Sequence, residues 1–304
     1  MNLIETKDIC KKYGSNLVID HVNMHVPEKS IYGFVGENGS GKTTIMRLLT
    51  GLAELTSGSF TIFGVANKDR KIHSVRKNIS AIVETASLVP SLTALQNMRY
   101  QELYEGIKLT DKERNDLLKK VHLENVGNKK AKNYSLGMRQ RLAIALALMN
   151  KPKLMFLDEP MNGLDPEGIA ELRELLIELN QKEGITVLIS SHILSELEKI
   201  ASHYGFISHG KLVEEISAED LQNRCRKSLT VNVNNPAKAE EILAKLGLKD
   251  IVSSPNGEVK IYDEKAKIYD VVNALEKGKL ELLAINSNEE SVEEYYLNLV
   301  KGGK

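Results

Sequence analysis

The chain has 304 residues, of which 42% are apolar and 27% charged, an ordinary globular composition with length for one large domain and a smaller one. Its formal net charge is zero, so the bulk balance draws it neither to nucleic acid nor to anionic lipid. Two cysteines far apart, Cys10 and Cys225, with no CxxC or Cys/His cluster, argue against a disulfide framework or a structural zinc site and for a reducing compartment.

In chain order, Met1-Asn2-Leu3-Ile4-Glu5 lacks the basic-then-apolar order of a secretory signal. The run Ile31-Tyr32-Gly33-Phe34-Val35 reads as a strand, and Thr44-Ile45-Met46-Arg47-Leu48-Leu49 as a helix. Between them, Gly36-Glu37-Asn38-Gly39-Ser40-Gly41-Lys42-Thr43 fits G-x-x-x-x-G-K-[ST], in the strand–loop–helix setting that a phosphate-binding loop requires. Glycines let successive backbone N–H groups turn toward phosphate, and the helix N-terminus adds positive partial charge. Lys42 is expected to reach the β- and γ-phosphates and the Thr43 hydroxyl to ligate Mg²⁺. Gly36, Asn38, Gly39, Ser40, Gly41 and Thr44 complete the expected nucleotide contacts.

Ile79-Ser80-Ala81-Ile82-Val83 reads as a further strand, followed by Glu84. Thr93 and Gln96 have capping-box spacing and predict a helix start. Ser135 opens a helix through Leu142–Met149; this longest apolar run falls far short of the roughly 20 residues a bilayer span needs. Leu154-Met155-Phe156-Leu157 has buried-strand character and ends in Asp158-Glu159. A carboxylate pair beyond a parallel strand sits at the ligand-binding edge of such a sheet. There Asp158 can hold the Mg²⁺ shell and Glu159 can polarise a water for attack on the γ-phosphate. Asp165-Pro166-Glu167 is a capped helix start, with Ile169, Leu172, Leu176 and Leu179 on one face. The apolar run Thr186–Ile189 leads into Ser190-Ser191-His192, and Gly205 to Val213 reads as a hairpin.

From Leu229 a new pattern begins. Leu229, Val231 and Val233 alternate as in a half-buried strand; Ala239, Ile242, Leu243 and Leu246 follow helical spacing. Pro255-Asn256-Gly257 reads as a turn before a strand with Val259 and Ile261. Ile268, Val271, Val272 and Leu275 mark a helix, Leu282, Leu283 and Ile285 a strand, and Val292, Tyr295, Tyr296 and Leu299 a last helix. The β-α-β-β-α-β order predicts a small ferredoxin-like module. It carries no catalytic cluster, so packing against the large domain or a dimer mate is its first expected role, with regulation or partner recognition as the alternatives. The expected boundaries are 1–222 and 223–304, with a helical subdomain over about 86–150.

Taken together, residues 1–220 resemble the ABC ATPase family. Tyr134-Ser135-Leu136-Gly137-Met138-Arg139-Gln140-Arg141 looks like its signature motif, with Tyr134, Leu136 and Met138 replacing the usual leucine, glycine and glutamine. Asn162-Gly163-Leu164-Asp165 matches the D-loop, His192 the switch histidine that contacts the γ-phosphate, and Tyr13 the aromatic that stacks on adenine. The resemblance implies a P-loop cassette of α/β class, with a mixed sheet core, that hydrolyses ATP with Mg²⁺. It further implies that Ser135 and Gly137 bind the γ-phosphate held by a second nucleotide-binding subunit, with a transmembrane permease as the other partner and the cytoplasmic membrane face as the location. All ATP-site motifs are present, so a homodimer is expected, although pairing with a related chain stays open.

Glu84 stands where the family's Q-loop carries glutamine. This substitution and the 135–141 segment are similar to the ATP-binding subunits of bacitracin-resistance and lantibiotic-immunity exporters. An ionised glutamate only accepts hydrogen bonds, which implies that Glu84 meets Mg²⁺ or its water shell. Export of another peptide, a drug or a lipid, or a role in an antibiotic-sensing complex, are the alternatives. The two cassettes of translation-factor relatives and the coiled-coil insertions of DNA-maintenance relatives are both missing from the sequence.

Overall fold

The structure, a computed structural model, describes residues 1–83, 88–225, 228–254, 257–263, 265–288 and 291–302. It divides into two compact units, Met1–Ala218 and Glu219–Lys304.

The first unit begins with β1 (Asn2–Tyr13), β2 (Asn16–Val22), β3 (His25–Pro27) and β4 (Ile31–Val35), followed by α1 (Lys42–Thr50), β5 (Ser57–Ile62) and β6 (Val65–Ala66). The helix α2 (Ile72–Arg76) and β7 (Ile79–Ile82) lead to α3 (Ala94–Glu105), α4 (Asp111–Lys120) and α5 (Leu136–Leu148). Then come β8 (Leu154–Asp158), α6 (Pro166–Glu183), β9 (Thr186–Ser191), α7 (Leu194–Leu197), β10 (His203–Ser208) and β11 (Lys211–Ser217).

Strands β4, β8 and β9 are buried almost throughout, as expected of parallel strands covered on both faces. They form the centre of a six-stranded sheet ordered β11-β10-β4-β9-β8-β7, parallel except for the β10–β11 hairpin. Phe34, Phe156, Ile45, Leu49 and Leu188 pack in its core. A second, antiparallel sheet of β1, β2, β3, β5 and β6 shares that core; sequence reading had assigned these strands no role. Register is what builds the site. Val35 lies opposite Ser191 and Asp158 opposite Ser190, so β4, β9 and β8 end level with one another.

Helix starts follow their chemistry. Thr93 and Gln96 form the anticipated reciprocal capping box, Asp165 accepts from the Gly168 amide at 3.0 Å with proline at the next position, and Ser135 caps α5. On α6 the fully buried face is Gly168, Leu172, Leu175, Leu176 and Leu179, with Ile169 only half-buried at the first turn.

A polar cluster ties the two sheets together. Glu215 on β11 accepts from the Tyr32 hydroxyl at 2.6 Å and from the His25 amide at 2.7 Å, and its second oxygen lies 2.8 Å from His25 Nδ1. Tyr32 is fully buried, and that burial, with the neighbouring Glu215 charge, raises its phenol well above the ordinary tyrosine range.

The second unit contains α8 (Ala218–Arg224, starting at the boundary), β12 (Ser228–Val233), α9 (Pro236–Lys245) and β13 (Ile251–Ser253). It continues with β14 (Glu258–Ile261), α10 (Ile268–Lys277), β15 (Leu282–Asn288) and α11 (Val292–Gly302). Its antiparallel sheet has the order β13-β14-β12-β15, the ferredoxin-like arrangement that the element order predicts. Leu229, Val231, Val233, Leu243, Val259 and Leu275 build its core. Of the apolar residues that mark these elements, Leu246, Ile268 and Leu283 are exposed. Leu246 is the C-cap of α9, where the helical period ends, and Leu248 fills the place instead. Ile268 is the first residue of α10, before its face meets the sheet. Leu283 is the extra residue at a register shift between β12 and β15, where Asn232 faces Ala284 and Val233 faces Leu282. It turns outward between the inward Leu282 and Ile285. Of the expected 255–257 turn, Pro255 and Asn256 lie outside the described residues.

Replacing Glu215 with alanine strands the buried Tyr32 hydroxyl and should cost about 1–3 kcal/mol in urea unfolding. Adding Tyr32→Phe should recover part of that loss. Strictly additive losses in the double variant would show that the two groups are not coupled.

Candidate functional site

The loop from Gly36 to Gly41 leaves the C-terminal end of β4 and turns directly into α1. Gly39 and Gly41 have φ of 81° and 113°, a region closed to most side chains. A Cβ on Gly36 would stand 2.5 Å from both the Ile207 carbonyl oxygen and Ser40 Oγ, so the loop is packed where it turns. Gly41, as N-cap, offers no side chain to the first-turn amides of α1, which stay available for an anion. Ser40 Oγ is buried with no partner among the described residues. Asn38 is exposed at the loop tip and Thr44 is half-buried in the first helical turn.

Lys42 is the first residue of α1 and only 5% exposed. Its ammonium donates to the carbonyls of Gly36 at 2.6 Å and Glu37 at 3.1 Å, and approaches Glu159 Oε1 at 3.3 Å. That last approach is an ion pair without hydrogen-bond geometry, since Glu159 Oε1 has no hydrogen-bond donor. The other Glu159 oxygen lies 2.7 Å from His192 Nδ1 and 3.3 Å from the His192 amide. Thr43 Oγ1 donates to Asp158 Oδ2 at 2.7 Å. These residues follow or end the strands β4, β8 and β9: Lys42 and Thr43 at the start of α1 after β4, Asp158 and Glu159 at the end of β8, and His192 after β9. The level register brings them to one edge. The carboxylate of Glu159 thus sits between two basic groups, the position an anionic phosphate oxygen would claim.

Tyr13 ends β1, half-exposed, with the Lys11 ammonium 4.8 Å from its ring centre. Ser135 is exposed and accepts from the Met138 amide at 3.2 Å, while Tyr134 turns into the core. The D-loop packs beside this helix start: a Cβ on Gly163 would lie 3.1 Å from Leu136, and one on Gly137 3.8 Å from Leu164. Asp165 is committed to capping α6. Asp158, Glu159, Leu136, Arg139 and Asn162 line one cleft of about 600 Å³. Glu84 lies outside the described residues. Ser190, two residues before His192 in the Ser190-Ser191-His192 cluster but assigned no role from sequence, is buried against both Asp158 and Glu159.

The ABC transporter family matches residues 19–162. A bacitracin transport ATP-binding protein, BcrA of Enterococcus faecalis, is 37% identical over 99% of this chain and 97% of its own length. The chain belongs to the ATP-binding subunits of ABC transporters. It is an ATPase of that family, whose members hydrolyse ATP to drive transport. A lantibiotic transport ATP-binding protein, SrtF of Streptococcus pyogenes, is 42% identical over 73% of this chain and 93% of its own. A dimeric ATP-binding cassette solved in a post-hydrolysis state with ADP and Pi has a TM-score of 0.63 and 26% identity, covering 71% of this chain and 98% of that one. ABC cassettes of this kind bind ATP or ADP, and ABC ATP-binding subunits dimerise and work with transmembrane permeases. Among the described residues no helix is long and apolar enough to cross a membrane.

Gly36→Ala should lower nucleotide affinity at least about tenfold, because its methyl meets fixed backbone; tenfold corresponds to about 1.4 kcal/mol. Gly39→Ala, strained in φ but open around its Cβ, should lose less. Equal affinities for both variants, measured with a fluorescent ATP analogue, would contradict the packed turn.

Proposed function

We propose that this chain is the motor of an exporter conferring resistance to, or immunity from, an antimicrobial peptide of the bacitracin or lantibiotic kind. The observation that carries this reading is the match to a bacitracin transport ATP-binding protein across both units rather than the ATP-binding unit alone. The match to the lantibiotic transport protein leaves about a quarter of this chain unmatched, which favours the bacitracin type. The second unit, taken as 223–304 beside a cassette of 1–222 with its helical subdomain at about 86–150, is an accessory domain in this reading.

At the site, Tyr13 stacks on adenine and the 36–44 loop wraps the phosphates, with Lys42 on the β- and γ-phosphates. Thr43 and Asp158 present adjacent hard oxygens 2.7 Å apart, a donor pair suited to Mg²⁺, which supplies charge neutralisation of the phosphates when bound. Arriving phosphate takes over the Lys42 and His192 contacts and frees the Glu159 carboxylate to accept a proton from the attacking water. Ser135 and Gly137, exposed or half-exposed at a helix start, face the γ-phosphate of a second copy, with Asp165 holding the adjoining helix. Glu84 meets Mg²⁺ or its water shell and passes that contact to the permease.

The permease docks in a groove of about 610 Å³ lined by Leu52, Tyr100 and Tyr104, whose apolar side chains are exposed, beside the end of β7. That attachment holds the motor at the cytoplasmic face of the membrane.

Two variants test the reading. Glu159→Gln should bind ATP with near-normal affinity, hydrolyse it at least about a hundredfold more slowly, and accumulate as an ATP-bound dimer in size-exclusion chromatography. Near-normal turnover would refute the assigned base. Glu84→Ala should impair peptide export more than ATP binding; full export by that variant would remove Glu84 from the coupling route.

A further inference from the structure

Ser190 ends in a place that neither the phosphate loop nor the carboxylate motif predicts. It lies on β9, fully buried, with its backbone level with Phe34 of β4 and Asp158 of β8. Its hydroxyl makes two hydrogen bonds. The Glu159 amide donates to Ser190 Oγ at 2.8 Å, and Ser190 Oγ donates to Asp158 Oδ1 at 2.6 Å. The polarity is forced, because an amide can only donate and an ionised carboxylate can only accept. The single hydroxyl proton is therefore committed to Asp158.

Each bond fixes a different part of the site. Asp158 has Oδ1 held by Ser190 and Oδ2 held by Thr43, so both oxygens of the carboxylate are pinned from opposite sides. Glu159 adopts φ of 48°, in the left-handed region that a non-glycine residue enters only under constraint. Its amide hydrogen bond to Ser190 holds the peptide in that conformation, and the conformation directs the side chain between Lys42 and His192. One buried hydroxyl thus couples the rotamer of the first carboxylate to the backbone of the second. Alanine or valine at this position would leave the Glu159 amide without its acceptor and Asp158 Oδ1 without its donor. The neighbouring Ser191 cannot substitute, because its hydroxyl is turned to the backbone of Ile193.

We infer that Ser190 is a positioning residue for ATP hydrolysis: it sets the geometry of Asp158 and Glu159 without contacting nucleotide. The inference rests on the reading of Glu159 as the base. It separates Ser190 from residues that bind ATP, because among the described residues Ser190 makes no hydrogen bond of its own to the phosphate loop and reaches Thr43 only through Asp158. Its loss should therefore fall on turnover and leave affinity nearly intact.

The test measures kcat and KM for ATP hydrolysis, and direct affinity for a fluorescent ATP analogue, in the full-length chain. Ser190→Ala should lower kcat by about 10–100-fold, the range typical for removing an outer-shell hydrogen-bond partner, with affinity changed less than about twofold. Ser190→Thr, which keeps the hydroxyl, should recover most of the turnover. A normal kcat in Ser190→Ala, parallel losses of affinity and kcat, or a threonine variant as slow as the alanine one would each overturn the inference. If the alanine variant does not fold, Ser190→Cys replaces it; its weak S–H donor should give a kcat below that of Ser190→Thr, and equal rates would overturn the inference. Glu159→Gln is run alongside. Normal turnover there means that the reading of the base has failed, whereas a dead Glu159→Gln beside a normal Ser190→Ala means that only the role of Ser190 has.

Discussion

A buried ammonium at the positive end of a helix is the constraint around which the first unit is organised. Lys42 opens α1, is almost fully enclosed, and lies where the helix dipole itself repels a cation. It is tolerated because two loop carbonyls and the Glu159 carboxylate surround it. The same arrangement suits the nucleotide binding proposed for this site. Lys42 and the His192 ring face the Glu159 carboxylate from separate elements, and the amides at the start of α1 have no side-chain cap, so the edge is suited to holding an anion. In the proposed mechanism, binding exchanges one anion for another and releases the Glu159 carboxylate to act as base.

The central sheet provides the precision. Three parallel strands buried on both faces end level, so a loop, a carboxylate pair and a histidine from distant parts of the sequence meet at one edge. The strand cores are apolar, and only at the ends do polar side chains turn toward one another. Ser190 belongs to this edge: a polar residue in a strand otherwise read as apolar, with both of its hydrogen-bonding capacities consumed by site residues.

Much of this was legible in the sequence, for identifiable reasons. The phosphate loop declares itself because each residue type answers a local demand: glycine for positive φ, lysine for charge, threonine for a hydroxyl. Helix starts at Thr93, Ser135 and Asp165 were legible because capping is decided within four residues. The ferredoxin-like order of the second unit followed from alternation and helical spacing, which are also local. Periodicity did not foresee the exposure of Leu246 and Ile268, which sit at the ends of their helices, or of Leu283, which sits at a register shift inside its strand. The antiparallel sheet went unread even though β1–β2 and β5–β6 are tight hairpins, while its β1–β5 pairing is distant in sequence. Ser190 went unread because its partners lie more than thirty residues away.

The central claim is that ATP hydrolysis at this site drives an antimicrobial peptide out of the cell. Its most direct test is the retention of labelled bacitracin by native cells that carry or lack the chain. The account predicts that cells lacking it retain more peptide, and that restoring the wild-type chain restores release. Equal retention in both, with the permease still present in the membrane, would contradict it.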